Sequence, residues 1–232
     1  MPPPEAEAMK KTLLALAALA ATTASAQTFT RPVELGLSAG YAGGLSGEAF
    51  VQAPYVYGPF GVKAGVAYTS VNPVFNPSND PNDLISVTYL LARQGGLTGQ
   101  ETGSNLVLGV DGTYALGELA PGFDADVYAG LRYGMSSRSG TIAGITSTTV
   151  SNRFGIGGGA LLSYAINPGL SIFGDLGADY FFDAPITTSF SNGDPSFTTN
   201  PGDKQYNYDQ YKSFYSFQNL IFKARVGVKF RL

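Results

Sequence analysis

Histidine and cysteine are both absent from the sequence, and each absence removes a class of chemistry. Without cysteine there is no disulfide, no thiolate metal ligand and no thiol nucleophile. Without histidine, the usual general base at neutral pH and the commonest transition-metal ligand are missing. Charge is also scarce: Asp, Glu, Lys and Arg make up 13% of the 232 residues, less than a water-facing surface normally carries. The formal charge of −3 gives no electrostatic reason to expect nucleic-acid binding. Beyond residue 26, no apolar run approaches the roughly 20 residues that a membrane-spanning helix needs.

Glycine (30 residues), tyrosine (14) and phenylalanine (15) are abundant instead. Near the start, Met9-Lys10-Lys11, the apolar stretch TLLALAALA and Ala24-Ser25-Ala26 follow one another in the order of a secretory signal peptide. A signal cleaved after Ala26 is therefore expected, leaving residues 27–232 as the exported chain. Met1 to Ala8 falls outside that pattern, which makes Met9 the expected true start.

The exported chain alternates apolar and polar residues again and again. At its end, Phe222, Ala224, Val226, Val228, Phe230 and Leu232 share one parity, and Lys223, Arg225, Gly227, Lys229 and Arg231 the other. Successive strand residues point to opposite faces, so one face of this segment is apolar and the other cationic. Comparable segments begin at Val33, Val51, Phe60, Leu106, Phe123, Phe154 and Leu170. Eight alternating segments of about ten residues are the dyad pattern of a transmembrane β-barrel. The expected fold is all-β, an eight-stranded antiparallel up-and-down barrel.

The connections follow a second rule. Gly58-Pro59, GELAPG (117–122) and Asn167-Pro168-Gly169 are tight-turn chemistries, whereas 72–104, 138–150 and 183–218 are long and rich in Gly, Asn, Ser and Pro. Short turns at one end and long loops at the other match the periplasmic and extracellular ends of outer-membrane barrels. Segment 84–93 (LISVTYLLAR) reads as either a helix or a loop hairpin; a membrane strand there would spoil the count.

Aromatic residues on the apolar face gather in two bands. Tyr41, Tyr68, Tyr133, Phe154, Tyr180, Phe182 and Phe222 fall near the long-loop ends, and Tyr55, Tyr57, Phe60, Tyr114, Phe123, Tyr164 and Phe230 near the short-turn ends. Membrane interfaces select such girdles. A soluble barrel with an apolar interior fits less well, because the polar face is crowded with glycine, serine and charge. The apolar face is expected to meet lipid.

From about Val33 to Leu232 the chain resembles the small eight-stranded outer-membrane barrels of the OmpA, OmpX and OmpW type. The resemblance lies in pattern and covers nearly the whole exported chain. It implies residence in the bacterial outer membrane and insertion by the barrel-assembly machinery. Two departures stand out. Leu232 occupies the last position, where such barrels usually carry an aromatic, with Phe230 two residues early. No further domain is expected after the barrel, so peptidoglycan anchoring is not implied.

Enzymes among these barrels lean on a His beside a Ser or Asp, so the missing histidine argues for a non-enzymatic protein without a cofactor. Segment 155-GIGGGA-160 formally matches the dinucleotide fingerprint, but a strand pattern continues where that motif requires a helix. Gly155, Gly157 and Gly159 are read instead as making room in the lumen for bulky residues such as Phe173 or Phe181.

Inward parity holds the acids Glu34, Glu48, Asp111, Asp124, Asp126, Asp175 and Asp179, and the bases Lys63, Arg132, Arg138, Arg153, Lys223, Arg225, Lys229 and Arg231. An ion-pair network is expected among Glu34, Lys63, Asp111, Asp124, Asp126, Arg132, Arg153, Asp175, Asp179, Lys223, Arg225, Lys229 and Arg231. In a barrel this narrow, side chains nearly fill the interior, so the network is expected to plug it. The alternative is a narrow channel for ions or small hydrophobic solutes. The rings of 183–218 (Phe190, Phe197, Tyr206, Tyr208, Tyr211, Phe214, Tyr215 and Phe217) either pack on one another above the membrane or offer a surface to a partner. Loops 72–104 and 183–218 are accordingly the expected sites of an extracellular or surface-layer partner.

Overall fold

An alternating strand leaves its backbone groups unpaired unless a neighbour flanks each side, and lipid offers no substitute hydrogen bonds. The computed structural model, which describes residues 33–203 and 207–232, meets this demand by closing the long strands on themselves. The expected signal segment and Tyr206 lie outside the described residues. The strands are β1 Glu34–Ala42, β2 Leu45–Tyr57, β3 Phe60–Val71, β4 Thr98–Ala120, β5 Phe123–Ile142, β6 Ile145–Asn167, β7 Leu170–Phe181, β8 Ile186–Phe190, β9 Phe197–Thr199 and β10 Leu220–Arg231. Eight of them, β1 to β7 and β10, form an antiparallel ring in which β10 pairs with both β7 and β1. β8 and β9 are short additions outside the ring, β8 pairing onto β6 and β9 onto β8.

At one end, Gly58-Pro59, Pro121-Gly122 and Pro168-Gly169 join strands through two-residue turns, and β1 begins and β10 ends there too. Gly58 and Gly122 adopt φ of +57° and +79°, a region that glycine enters without steric penalty.

The other end departs from the expected loops. Segments 98–104 and 138–150 are strand, not loop, except for the turn at 143–144: β4 and β6 each run 23 residues and β5 runs 20. A membrane strand uses only about 9–11 residues, so roughly half of each projects beyond the bilayer. These projections are written in Ser and Thr, whose hydroxyls pair across strands, as Thr141 does with Thr146 (2.9 Å) and Thr149 with Thr188 (3.0 Å). β5 and β6 meet at Ala143-Gly144, with φ of +50° and +82°, the two left-handed residues of a tight hairpin.

Segment 84–93 is helical, within α1 Leu84–Gln94, so the count of eight membrane strands stands. Asp83 caps α1 by accepting from the Ser86 backbone N–H. A second helix, α2 Tyr208–Phe214, lies in the last long connection. Both contribute to an apolar cluster above the ring, with Phe75, Tyr89, Ile186, Phe214 and Tyr215 among its buried members.

Candidate functional site

The inward face of β10 places Ile221, Lys223, Arg225, Gly227 and Lys229 one above another, all buried or half-buried, while Val226 on the opposite face is 73% exposed. Antiparallel register then decides which acids the cations meet. Lys229 Nζ lies 3.0 Å from Glu34 Oε2 and 4.0 Å from Asp126, and Arg231 reaches the same Glu34 at 3.4 Å. Lys223 Nζ donates to Asp179 Oδ1 at 2.9 Å. Arg225, opposite Asp175 in the ladder, approaches that carboxylate at 3.7 Å and makes a closer contact with Glu48.

Arg132 of β5 joins two further strands. Its Nη1 donates to Asp111 of β4 at 2.6 Å and its Nε to Asp179 of β7 at 2.8 Å. Asp179 therefore serves both Arg132 and Lys223. Glu48, left out of the expected network, takes Lys63 at 2.7 Å as well as Arg225. Its parity marked it as an inward acid; its role as a junction depends on strand stagger, which parity does not carry.

Two expected members do not join. Asp124 is the second residue of β5 after the β4–β5 turn, is exposed, and makes no ion pair among the described residues. Arg153 lies too far toward the loop end to meet the acids. Its Nη1 donates to the Gln218 carbonyl at 2.8 Å, and its guanidinium stands 5.1 Å from the Phe181 ring centre. The other eleven expected residues all take part in ion pairs.

The lumen also holds an apolar layer that the alternation did not announce. Phe50, Tyr128, Leu161 and Phe173 pack together inside the ring, Phe50 and Phe173 edge to face at 5.5 Å. Tyr128 donates its hydroxyl to Asp175 at 2.6 Å, and Lys63 stands 4.6 Å and 4.7 Å from the Phe50 and Tyr128 ring centres. Glycine makes the space: a Cβ on Gly36 would fall 2.1 Å from the tip of Phe50, and one on Gly157 1.9 Å from Asp179. Gly155 faces Phe181 as read from sequence, whereas Phe173 is accommodated by Gly227. A cavity of about 30 Å³ remains among Glu48, Asp111, Arg132, Asp179, Lys223 and Arg225, room for about one water molecule.

On the outer face, register sets Phe60 opposite Tyr114, Phe123 opposite Tyr164 and Tyr133 opposite Phe154, with ring centres 5.1, 4.7 and 5.0 Å apart. Tyr41, Tyr57, Tyr68, Tyr180, Phe182, Phe222 and Phe230 are exposed there too. Tyr55 is exposed but sits in a bulge of β2 at φ +57°, which breaks the simple alternation with Tyr57.

Above the loop end, the rings of 183–218 are mostly turned inward. Tyr208, Phe214, Tyr215 and Phe217 are buried, and Phe214 stacks on Phe75 at 5.0 Å. Tyr89 of α1 donates to Glu101 Oε1 at 2.6 Å; burial and this bond push its phenol up to about 12. Lys212 donates to Asp183 at 2.6 Å and holds that carboxyl below its ordinary value. Phe217 reaches down to the ring mouth, where Arg138 and Arg153 stand 5.1 Å and 5.6 Å from its centre.

No protein-family model matches the chain, and no curated protein matches it. Among solved structures, a major outer membrane protein from Thermus thermophilus is similar at 28% identity and a TM-score of 0.76, over 88% of this chain and 100% of that one. Neisserial surface protein A aligns over 87% and 95% of the two chains, with 11% identity and a TM-score of 0.38. Ail, the attachment invasion locus protein of Yersinia pestis, aligns over 87% and 97%, with 11% identity and a TM-score of 0.41. The closed ring of eight strands, its apolar outer face and the likeness to the Thermus protein lead to one conclusion: the chain is a small outer-membrane β-barrel, with an architecture consistent with the OmpA/OmpX type.

Proposed function

We propose that the protein is a non-enzymatic barrel of the cell envelope, with a structural or surface-interaction role and a lumen closed by its own side chains. The observation that carries this reading is the continuity of the filling. Ion pairs centred on Glu34, Glu48 and Asp179 are stacked with the Phe50, Tyr128, Leu161 and Phe173 layer, and the cavity at the network holds about 30 Å³. A conducting path requires connected water, and these contacts support a reading in which little room is left for it. The absence of histidine from the sequence supports a non-enzymatic role, since no serine then has its usual activating base.

The two aromatic bands, on this reading, sit at the membrane interfaces, and the Ser- and Thr-rich projection of β4, β5 and β6 with its aromatic cluster stands outside the cell. Segments 72–104 and 183–218 contribute the outermost surface and would meet an extracellular or surface-layer partner. Export through the signal at 9–26 and insertion by the assembly machinery complete the proposal.

Conductance in planar bilayers tests it. The wild-type protein is expected to show little or no steady current, and openings should become frequent when Arg132→Ala and Tyr128→Ala are combined. A large, stable wild-type conductance that the two substitutions leave unchanged would discard the closed lumen in favour of a narrow channel.

A further inference from the structure

Beneath the aromatic cluster, at the loop end of the ring, lies a cavity of about 290 Å³ lined by Asn72, Asn76, Asn105, Gln218, Arg138 and Arg153 among others. Arg138 is 1% exposed and Arg153 4%, yet no carboxylate lines the cavity and neither arginine forms an ion pair among the described residues. Both guanidiniums stand against the one ring of Phe217, so two like charges are held in the same apolar setting.

The hydrogen bonds of the pair are one-sided. Arg138 donates from Nη1 to the carbonyls of Ser104 and Ser137 and to Asn105 Oδ1, each at 2.9 Å. Arg153 donates from Nη1 to the Gln218 carbonyl at 2.8 Å. The Nε of each is buried without an acceptor among the described residues. The nearby acids are engaged elsewhere: Asp183 accepts from Lys212 and Asn219, and Glu101 from Tyr89 and the backbone of Val74 and Phe75. Asp183, already held by Lys212, also attracts Arg153 without an ion-pair contact, so the buried pair is only partly compensated. The low local dielectric strengthens both its repulsion and the attraction of a further anion.

We propose that this cavity is a binding site for a small soluble oxyanion of the phosphate or carboxylate class, gripped by Arg138 and Arg153. Guanidinium forks match the geometry of such ions, and the amide side chains of Asn72, Asn76 and Gln218 offer further N–H donors at the cavity wall. The ion is soluble rather than a lipid headgroup because both arginines have lumen parity on β5 and β6, behind the barrel wall and away from the outer face.

Isothermal titration of the full-length protein, folded in detergent, with inorganic phosphate at constant ionic strength tests this. Saturable binding near one ion per chain is expected. Arg138→Lys and Arg153→Lys, which keep the charge and lose the fork, should each weaken it about tenfold or more. Arg93→Lys, an exposed position on α1, should leave it within about twofold, the difference expected of a surface site far from the pair. A heat-dependent shift in electrophoretic mobility establishes that each variant is folded, and the wild-type titration stands without them. Absence of saturable binding by the wild type overturns the proposal, as does binding that survives both lysine substitutions. Short-chain phosphatidate in the micelles should not displace inorganic phosphate; binding of that lipid without binding of free phosphate would overturn the soluble-ion assignment.

Discussion

Several side chains in this lumen serve two partners, and that sets what their loss does. Arg132 neutralises Asp111 and shares Asp179 with Lys223. Removing one member of a buried pair leaves a charge that costs about 3–5 kcal/mol, whereas removing both is often near neutral. Arg132→Leu should therefore lower unfolding free energy in lipid vesicles by about that much, and adding Asp111→Leu should restore part of it, because Asp179 keeps Lys223. A double variant as unstable as the two losses added together would mean that these charges do not depend on one another. In the region above the membrane, the Tyr89 phenol is raised from 10.0 to about 12 by burial and by Glu101. The folded state thus favours the neutral phenol; its contribution to stability is whole below pH 10 and is lost as pH rises through about 12. Spectrophotometric titration of the wild type minus Tyr89→Phe should show one tyrosine ionising near 12, and one ionising near 10 would remove Glu101 as its partner.

At the scale of the strand, alternation says which face a residue takes, and the ladder agrees for β10. Val226 is exposed on the lipid side near the middle of this strand, where a charge costs about 2–4 kcal/mol. Val226→Arg should cut folding yield in lipid vesicles sharply, while Ser163→Ala, which removes a buried lumen hydroxyl lacking any partner among the described residues, should not. Equal yields would invert the two faces. Parity alone does not say how tightly the inner face is filled. Gly227 shares the cationic parity of its neighbours, yet a Cβ there would fall 2.2 Å from the Leu37 carbonyl oxygen and 2.8 Å from Phe173. Even serine at Gly227 is expected to disturb the barrel, through volume and not polarity. The strand ends were the least legible feature, because Ser- and Thr-rich stretches such as 146–149 alternate hydroxyl with hydroxyl and carry no contrast between faces.

For the molecule as a whole, the two ends differ in construction: two-residue turns at one, a cluster of strands, helices and packed rings at the other. The proposed orientation places the second outside the cell. Since the chain has no native cysteine, Ser78→Cys and Ser196→Cys, both exposed, should react with an impermeant maleimide on intact cells, and Gly169→Cys in the turn should not. Labelling at position 169 alone would reverse the topology.

Sequence by itself determined the ring: eight alternating segments, tight turns between every other pair, and an inward cation row on the last strand follow from the two-residue period of a strand. It left 84–93 between helix and hairpin, a choice that the Asp83 cap and the packing of Tyr89 into the cluster above the ring decide for helix. Only the tertiary structure decided who meets whom inside. Stagger between neighbouring strands made Glu48 a junction and put Tyr128 on Asp175. The same stagger lifted Arg153 away from the acids of the lumen network to stand beside Arg138 under Phe217. Period fixes the face of a residue, and stagger fixes its height; a pattern read along one strand contains the first and none of the second.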